Sequence, residues 1–269
     1  MPTQSALARQ DFDRLTKILE ARGWKPTKGA VLLDFGCGAG QLVKTAIDHG
    51  LDAYGCDVDF EAAVRHLTAD ETVVFDDLRS HGRLVDVETD RVGTRGTEWL
   101  PIGSVPQPFQ KYRLPFDDEV FDVVVSSEVL EHVFNYSDVV SELHRVMKPG
   151  AVFLQMFPPK FALIEGHTNI PIGGGFKPDW WLKLWSKSGV RVWHHRGASA
   201  EEYHAWTRHY LDNCVNYLTK REITEAFSGP FDIEFVEREM FAISPKTRAF
   251  LLPGVYSHFR NRVMYGVRR

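Results

Sequence analysis

Val31-Leu32-Leu33-Asp34-Phe35-Gly36-Cys37-Gly38-Ala39-Gly40 is the stretch on which the fold turns. Its first half is a continuous apolar run, which reads as a strand covered on both faces, as in a parallel sheet. Its second half places three glycines in five residues. That composition lets the backbone turn tightly and approach a ligand while the amides of a helix start stay exposed. Gln41 to His49 reads as that helix, closed by Gly50. The spacing is G-x-G-x-G, so the third glycine comes one residue earlier than in the pyrophosphate-cradling G-x-G-x-x-G. An acid, Asp34, precedes the first glycine. It suits a cationic ligand headed by an amino acid better than a pyrophosphate. Ala53-Tyr54-Gly55-Cys56-Asp57 reads as the second strand, and its terminal acid can take both hydroxyls of a ribose.

Upstream, Leu7 to Arg22 sets Phe12, Leu15, Ile18 and Leu19 at three- and four-residue steps, the stripe of an amphipathic helix ended by Gly23 and Pro26. Downstream, Phe60 to Leu67 reads as a helix, and Thr72–Phe75 and Leu84–Val87 as strands. Glycines and prolines from Gly93 to Pro108 mark an insertion over 79–112. Val120–Val125 is a strand and Asp138–Met147 a helix with Ser137 at its N-cap. Lys148-Pro149-Gly150 is a turn, followed by a strand over Ala151–Met156. The alternation breaks over 158–217, which holds Gly173-Gly174-Gly175, five of the seven tryptophans and short helices at Asp179–Lys187 and Glu201–Leu218. A helix at Arg221–Phe227 and strands at Phe231–Val236 and Arg262–Val267 close the pattern. Strands alternating with helices give an α/β fold: one domain over 1–269, a Rossmann-like doubly wound seven-stranded sheet with a helical cap over 158–217 after the fifth strand.

With 43% apolar residues the chain can bury a full core, and a net charge of −4 excludes a global basic field that would recruit nucleic acid or membrane. A local basic patch is left to Arg260, Arg262, Arg268 and Arg269. No apolar run approaches the ~18–20 residues of a membrane span, and the polar start Met1-Pro2-Thr3-Gln4 carries no signal-peptide core. Cys37, Cys56 and Cys214 have no C-x-x-C spacing, which argues against a disulfide framework or a structural zinc. The expectation is a soluble, cytoplasmic protein.

Over Ala30 to Phe157 the chain resembles class I S-adenosylmethionine-dependent methyltransferases of the small-molecule type. The resemblance rests on LLDFGCGAG, YGCDVD, LPFDDEVFDVVVSSEVLEHV and LHRVMKPGAVFLQMFP, in that order. It implies that Gly36, Cys37, Gly38 and Gly40 line the methionine end of the cofactor and that Asp34 orients that end through the loop. It further implies that Asp57 binds the ribose, that Val58 lies against the adenine, and that Ser126 and Ser127 offer backbone groups to the methionine amine. The chain departs from the family between Asp57 and Leu114, where Asp76 or Asp77 could serve as the acid near the adenine.

Glu128-Val129-Leu130-Glu131-His132 follows. On a helix, positions i, i+3 and i+4 share a face, so Glu128, Glu131 and His132 could converge on magnesium, manganese or zinc. The E-x-x-E-H pattern is similar to that of small-RNA 2′-O-methyltransferases and some ubiquinone-pathway O-methyltransferases, where it holds a divalent metal. In metal-free relatives the same residues shape the pocket. His167, past the fifth strand, is placed by topology where a transferred methyl should point, and is read as the general base, with His132 as its rival; a loop histidine bonded to backbone is the plain reading. Lys160 and Glu165 read as solvated loop charges. Trp180, Trp181, Trp185, Trp193 and Trp206, with Tyr203 and Tyr210, are either core or the wall of an acceptor pocket. The expected activity is O-methylation of a small molecule, glycan or lipid-linked metabolite, with no nucleic-acid partner. The alternatives are a metal-dependent 2′-O-methyltransferase of RNA termini and a non-catalytic cofactor-binding subunit.

Overall fold

A computed structural model of the chain describes residues 4–65, 67–87, 112–237, 239 and 261–269. Its strands are β1 (Val31–Phe35), β2 (Asp52–Asp57), β3 (Leu84–Asp86), β4 (Phe121–Ser127), β5 (Met147–Phe157), β6 (Phe231–Phe235) and β7 (Arg262–Arg268). They form one sheet in the order β3-β2-β1-β4-β5-β7-β6. The first five run parallel, whereas β7 pairs antiparallel with both β5 and β6.

Helices cover both faces, which is why the apolar run in β1 does not alternate. Leu32 joins the core under α1 (Gln4–Ala21), α2 (Gln41–Asp48) and α4 (Ala69–Ser80), and its neighbour Leu33 joins the opposite core under α5 (Tyr136–Val146) and α8 (Lys220–Phe227). Phe12, Leu15, Ile18 and Leu19 of α1 are all buried, as their spacing requires. Truncating a fully buried leucine such as Leu33 to alanine costs ~2–5 kcal/mol. Between β5 and α8 the chain forms α6 (Asp179–Lys187), a 3₁₀ turn at Trp193–His195 and α7 (Ala200–Asn213). These pack a small core of their own around Ile170, Leu182, Leu211, Val215 and Tyr217.

Several local readings change. Thr72–Phe75 lies inside α4 and is not a strand, because Thr68 and Glu71 make a reciprocal capping box that starts a helix at Ala69. Leu84–Asp86 is a strand of the main sheet, so residues 79–87 finish α4 and form β3 instead of opening an insertion. Residues 88–111 lie outside the described residues. The helix α3 (Phe60–Val64) stops short of Leu67, and α7 stops short of Leu218. Asn135, not Ser137, occupies the N-cap of α5. Lys148–Gly150 is drawn into β5, with an irregular register opposite Phe121 and Val123. Arg262, Arg268 and Arg269 disperse into ion pairs with Glu237, Glu119 and Asp232, while Arg260 lies outside the described residues. Among the described residues no helix is long and apolar enough to cross a membrane.

Candidate active site

The carboxyl edge of the parallel strands gathers two groups of residues. The first is a turn of backbone flanked by acids. After β1 the chain turns through Gly36, Gly38 and Gly40, all at positive φ. Gly36 is enforced by contact, since a Cβ there would come within 2.2 Å of the Val129 side chain. Gly38 faces open space: a Cβ would meet nothing within 4 Å. Beside this turn, Asp57 accepts hydrogen bonds from the amides of Gly38 (2.8 Å, Oδ2), Val58 (2.7 Å, Oδ1) and Asp59 (3.1 Å, Oδ1). Asp34 is buried, and burial, with the nearby Asp57 carboxylate, pushes its pKa up to about 7. Val58 is exposed, and the buried Ser126 hydroxyl has no hydrogen-bond partner among the described residues. Burial also pushes the thiols of Cys37 and Cys56 up, so both stay protonated packing groups.

A buried carboxyl with no counter-cation among the described residues, beside an open glycine turn and a second acid, fits a cationic ligand. S-adenosylmethionine carries a sulfonium and an α-ammonium, so the residues present suit it. Asp86 also belongs to this edge: it stands in register with Asp57 at the end of β3 and pairs with Arg79 at 2.7 Å. The sequence reading passed over it, although Leu84-Val85-Asp86 repeats the strand-then-acid ending of the first two strands. Asp76 and Asp77 are exposed on α4, away from that edge.

The second group is built from side chains. Glu128 adopts a left-handed φ of 59°, and the helical turn comes only afterwards, as a 3₁₀ turn at Leu130–His132. The i, i+3, i+4 face is therefore not formed, and the Glu128 carboxylate accepts a hydrogen bond from Asn261. Glu131, His132 and His167 come together in its place, each offering a ligand atom within 4.8 Å of the others. The rings of His132 and His167 meet edge to face at 5.1 Å. Glu131 is 2% exposed, and among the described residues no amide, hydroxyl or cationic donor reaches its carboxyl oxygens, which meet the Glu128 carboxyl instead. Burial first, then the Glu128 carboxylate, hold its pKa well above the usual carboxylate range.

Both imidazoles are oriented from behind. His132 Nδ1 donates to the Cys214 carbonyl at 2.8 Å, which leaves Nε2 as the basic nitrogen. His167 Nδ1 donates to Glu165 at 2.9 Å. Glu165 is 1% exposed, so it is no solvated loop charge. It also accepts the amides of His167 and Thr168, the Thr168 hydroxyl and the Tyr217 hydroxyl. Burial works to raise its pKa, but the hydrogen bond and charge of His167, with the other donors, outweigh it and hold it at about 2. Asn216, between Cys214 and Tyr217, donates to the Glu131 carbonyl at 2.6 Å and to the Val133 carbonyl at 2.9 Å. The stretch after α7 thus ties the turn after β4 to the loop after β5. Lys160 pairs at 3.6 Å with Glu222.

The aromatic residues divide. Tyr203 is fully buried, its hydroxyl donating to the Thr168 carbonyl at 2.6 Å, and Tyr210 stacks obliquely at 5.3 Å from His167. Trp181 and Trp185 pack on the small core, whereas Trp180 and Trp193 are 61% and 66% exposed.

Residues 7–229 match the family model described as "Methyltransferase domain". The chain belongs to the methyltransferase domain family. Its sheet order and glycine turn are those of the class I, S-adenosylmethionine-dependent branch. The methyltransferase is 31% identical over 141 residues to a Mycolicibacterium smegmatis protein named "Probable S-adenosylmethionine-dependent methyltransferase", covering 52% of this chain and 43% of that one. It is 25% identical over 172 residues to a ubiquinone biosynthesis O-methyltransferase of Cereibacter sphaeroides, covering 62% and 54%. The chain thus spans about half the length of these relatives. The PH0226 protein of Pyrococcus horikoshii shares the fold, with a TM-score of 0.50 at 14% identity over 97% of this chain and 91% of that one.

Proposed function

We propose that this methyltransferase transfers the sulfonium methyl of S-adenosylmethionine to a hydroxyl on a small molecule, glycan or lipid-linked metabolite, with His167 taking the hydroxyl proton. The cofactor, when bound, supplies an electrophilic methyl. The protein's part is to bind it, to place the acceptor oxygen and to remove a proton. In this reading Asp34 and the glycine turn take the amino-acid end, Asp57 the ribose, and Val58 and Asp86 the adenine side, while Ser126 and Ser127 meet the amine. The observation that carries the choice of base is the Glu165–His167 hydrogen bond, which commits Nδ1 and keeps Nε2 as the acceptor of a proton. The name of the Cereibacter relative supports an oxygen acceptor. The α6–α7 segment, which supplies Tyr210 against the His167 ring, serves as the cap over the acceptor. His167→Ala should lower the methyl-transfer rate by ~10²–10⁴-fold with cofactor affinity near wild type. An unchanged rate in the folded variant would remove His167 as the base and leave His132.

The Glu131 carboxyl, met by no amide, hydroxyl or cationic donor among the described residues and set beside two imidazoles, favours a second reading of the same cluster. Glu131, His132 and His167 would hold a divalent cation, and two nitrogens with one oxygen suit zinc or manganese better than magnesium. Such an ion would polarise the acceptor oxygen, and the carbonyl of Cys214 and the carboxylate of Glu165 would orient the two ligand histidines from behind. Metal analysis of the purified protein, with turnover before and after chelation, separates the two readings. Full activity in excess chelator leaves the proton-transfer reading alone.

A further inference from the structure

Eight of the eleven exposed large apolar side chains among the described residues fall between Phe161 and Trp193. Five of them form a strip. The Phe161 ring covers Gly175, where a Cβ would lie 2.3 Å from it, and the Leu163 carbonyl accepts from Ile172 on the same loop at 3.1 Å. Phe176 then meets Trp180 at 6.0 Å, and Leu184 stands one turn further along α6. Scattered exposed leucines are ordinary, whereas apolar side chains gathered on one segment are what a contact surface requires.

The charge on that surface says what it contacts. With 3.6 residues per turn, Trp180, Lys183, Leu184 and Lys187 share an arc of about 100° on the outer side of α6, opposite the buried Leu182 and Ser186. Lys183 and Lys187 are exposed, and only Lys183 has a carboxylate partner on the helix, Asp179. Over residues 158–198 there are six basic residues (Lys160, Lys177, Lys183, Lys187, Arg191, Arg196) against two acidic ones, one of them the buried Glu165. The chain as a whole carries −4. Lys160, Lys177 and Lys183 pair with Glu222, Asp212 and Asp179, so the surplus positive charge of this stretch rests on Lys187, Arg191 and Arg196. It lies beside the apolar strip on an otherwise anionic molecule, the composition that seats indole and leucine at the acyl boundary while basic side chains meet headgroup phosphates.

We propose that this face, Phe161, Leu163, Phe176, Trp180 and Leu184 with Lys183 and Lys187, docks the methyltransferase reversibly on an anionic lipid surface. The inference is independent of which atom accepts the methyl. The strip begins beside Glu165 and His167, so docking would set the candidate site against the bilayer and admit an apolar acceptor from it. Co-sedimentation with phosphatidylglycerol-rich and with pure phosphatidylcholine vesicles tests it. The wild-type protein should bind the anionic vesicles alone, and added salt should weaken binding. Lys183→Ala with Lys187→Ala should weaken it by about thirtyfold, at ~1 kcal/mol per lysine. Trp180→Ser with Leu184→Ser should also release the protein, with the melting temperature unchanged in both variants. Absent binding at low salt, equal binding to neutral vesicles, or binding that survives both variants would overturn the proposal. So would light scattering that shows a dimer abolished by Trp180→Ser/Leu184→Ser in a protein that ignores vesicles, since the face would then belong to a second copy.

Discussion

The glycine turn after β1 and the histidine cluster after β4 and β5 sit on the same sheet edge but are made differently. The turn is backbone, and its shape comes from residues adjacent in sequence and from one close contact, Gly36 against Val129. The cluster is side chain, and its shape comes from Glu165, Cys214, Asn216 and Tyr217 reaching His132, Glu131 and His167 across stretches of up to 85 residues. The turn can therefore tolerate changes elsewhere in the chain, whereas the cluster depends on the stretch after α7 being in place.

Acid stability tests the cluster most severely. The Glu165 pKa is held down, so the stability it contributes is fully present above the usual carboxylate value and lost as pH falls towards about 2. A depression of that size corresponds to about 3 kcal/mol. Glu165→Gln should flatten this part of the acid-unfolding curve and lower stability at neutral pH. A variant that unfolds in acid like the wild type would show that Glu165 does not hold the loop.

The turn is tested through Asp34. Its pKa is raised to about 7, so below that pH it is largely neutral and must lose a proton to meet a cation. The folded protein holds this proton at pH values where the unfolded chain has released it, so Asp34 makes stability fall as pH rises from about 4 to 7. Cofactor affinity should move the other way, rising by up to about tenfold per pH unit towards pH 7 and levelling above it. Titration calorimetry in buffers of different ionisation enthalpy should detect the released proton, and Asp34→Asn should remove the slope. A flat affinity between pH 5 and 8 would separate Asp34 from the ligand.

A finer comparison lies within the turn. Gly36→Ala and Gly38→Ala both pay for a positive φ, ~1–2 kcal/mol. Only Gly36→Ala also collides with Val129, so it should lower the melting temperature further. Gly38→Ala should instead weaken cofactor binding, because its methyl would enter the open side of the turn. Equal melting temperatures and equal affinities for the two variants would erase the distinction.

Sequence alone carried the sheet and its edge. The unbroken apolar run of β1 demanded two covered faces, the glycine spacing demanded a turn open to a ligand, and strands ending in acids marked the side on which that ligand sits. These are local properties, set by side-chain period and φ, and they survive without knowledge of any partner. The role of Glu165 was not legible, because a glutamate beside a glycine and a histidine looks solvated until Tyr217 and Thr168 close over it. The set Glu131, His132 and His167 was hidden for a related reason: the left-handed Glu128 breaks the helical spacing that a one-dimensional reading assumes. The capping box at Thr68 and Glu71 was visible in principle, but a β-branched run at Thr72–Val74 argued the other way and lost to it. Tertiary structure alone decided which charges are buried, since burial depends on what packs over a residue, and that covering comes from parts of the chain distant in sequence.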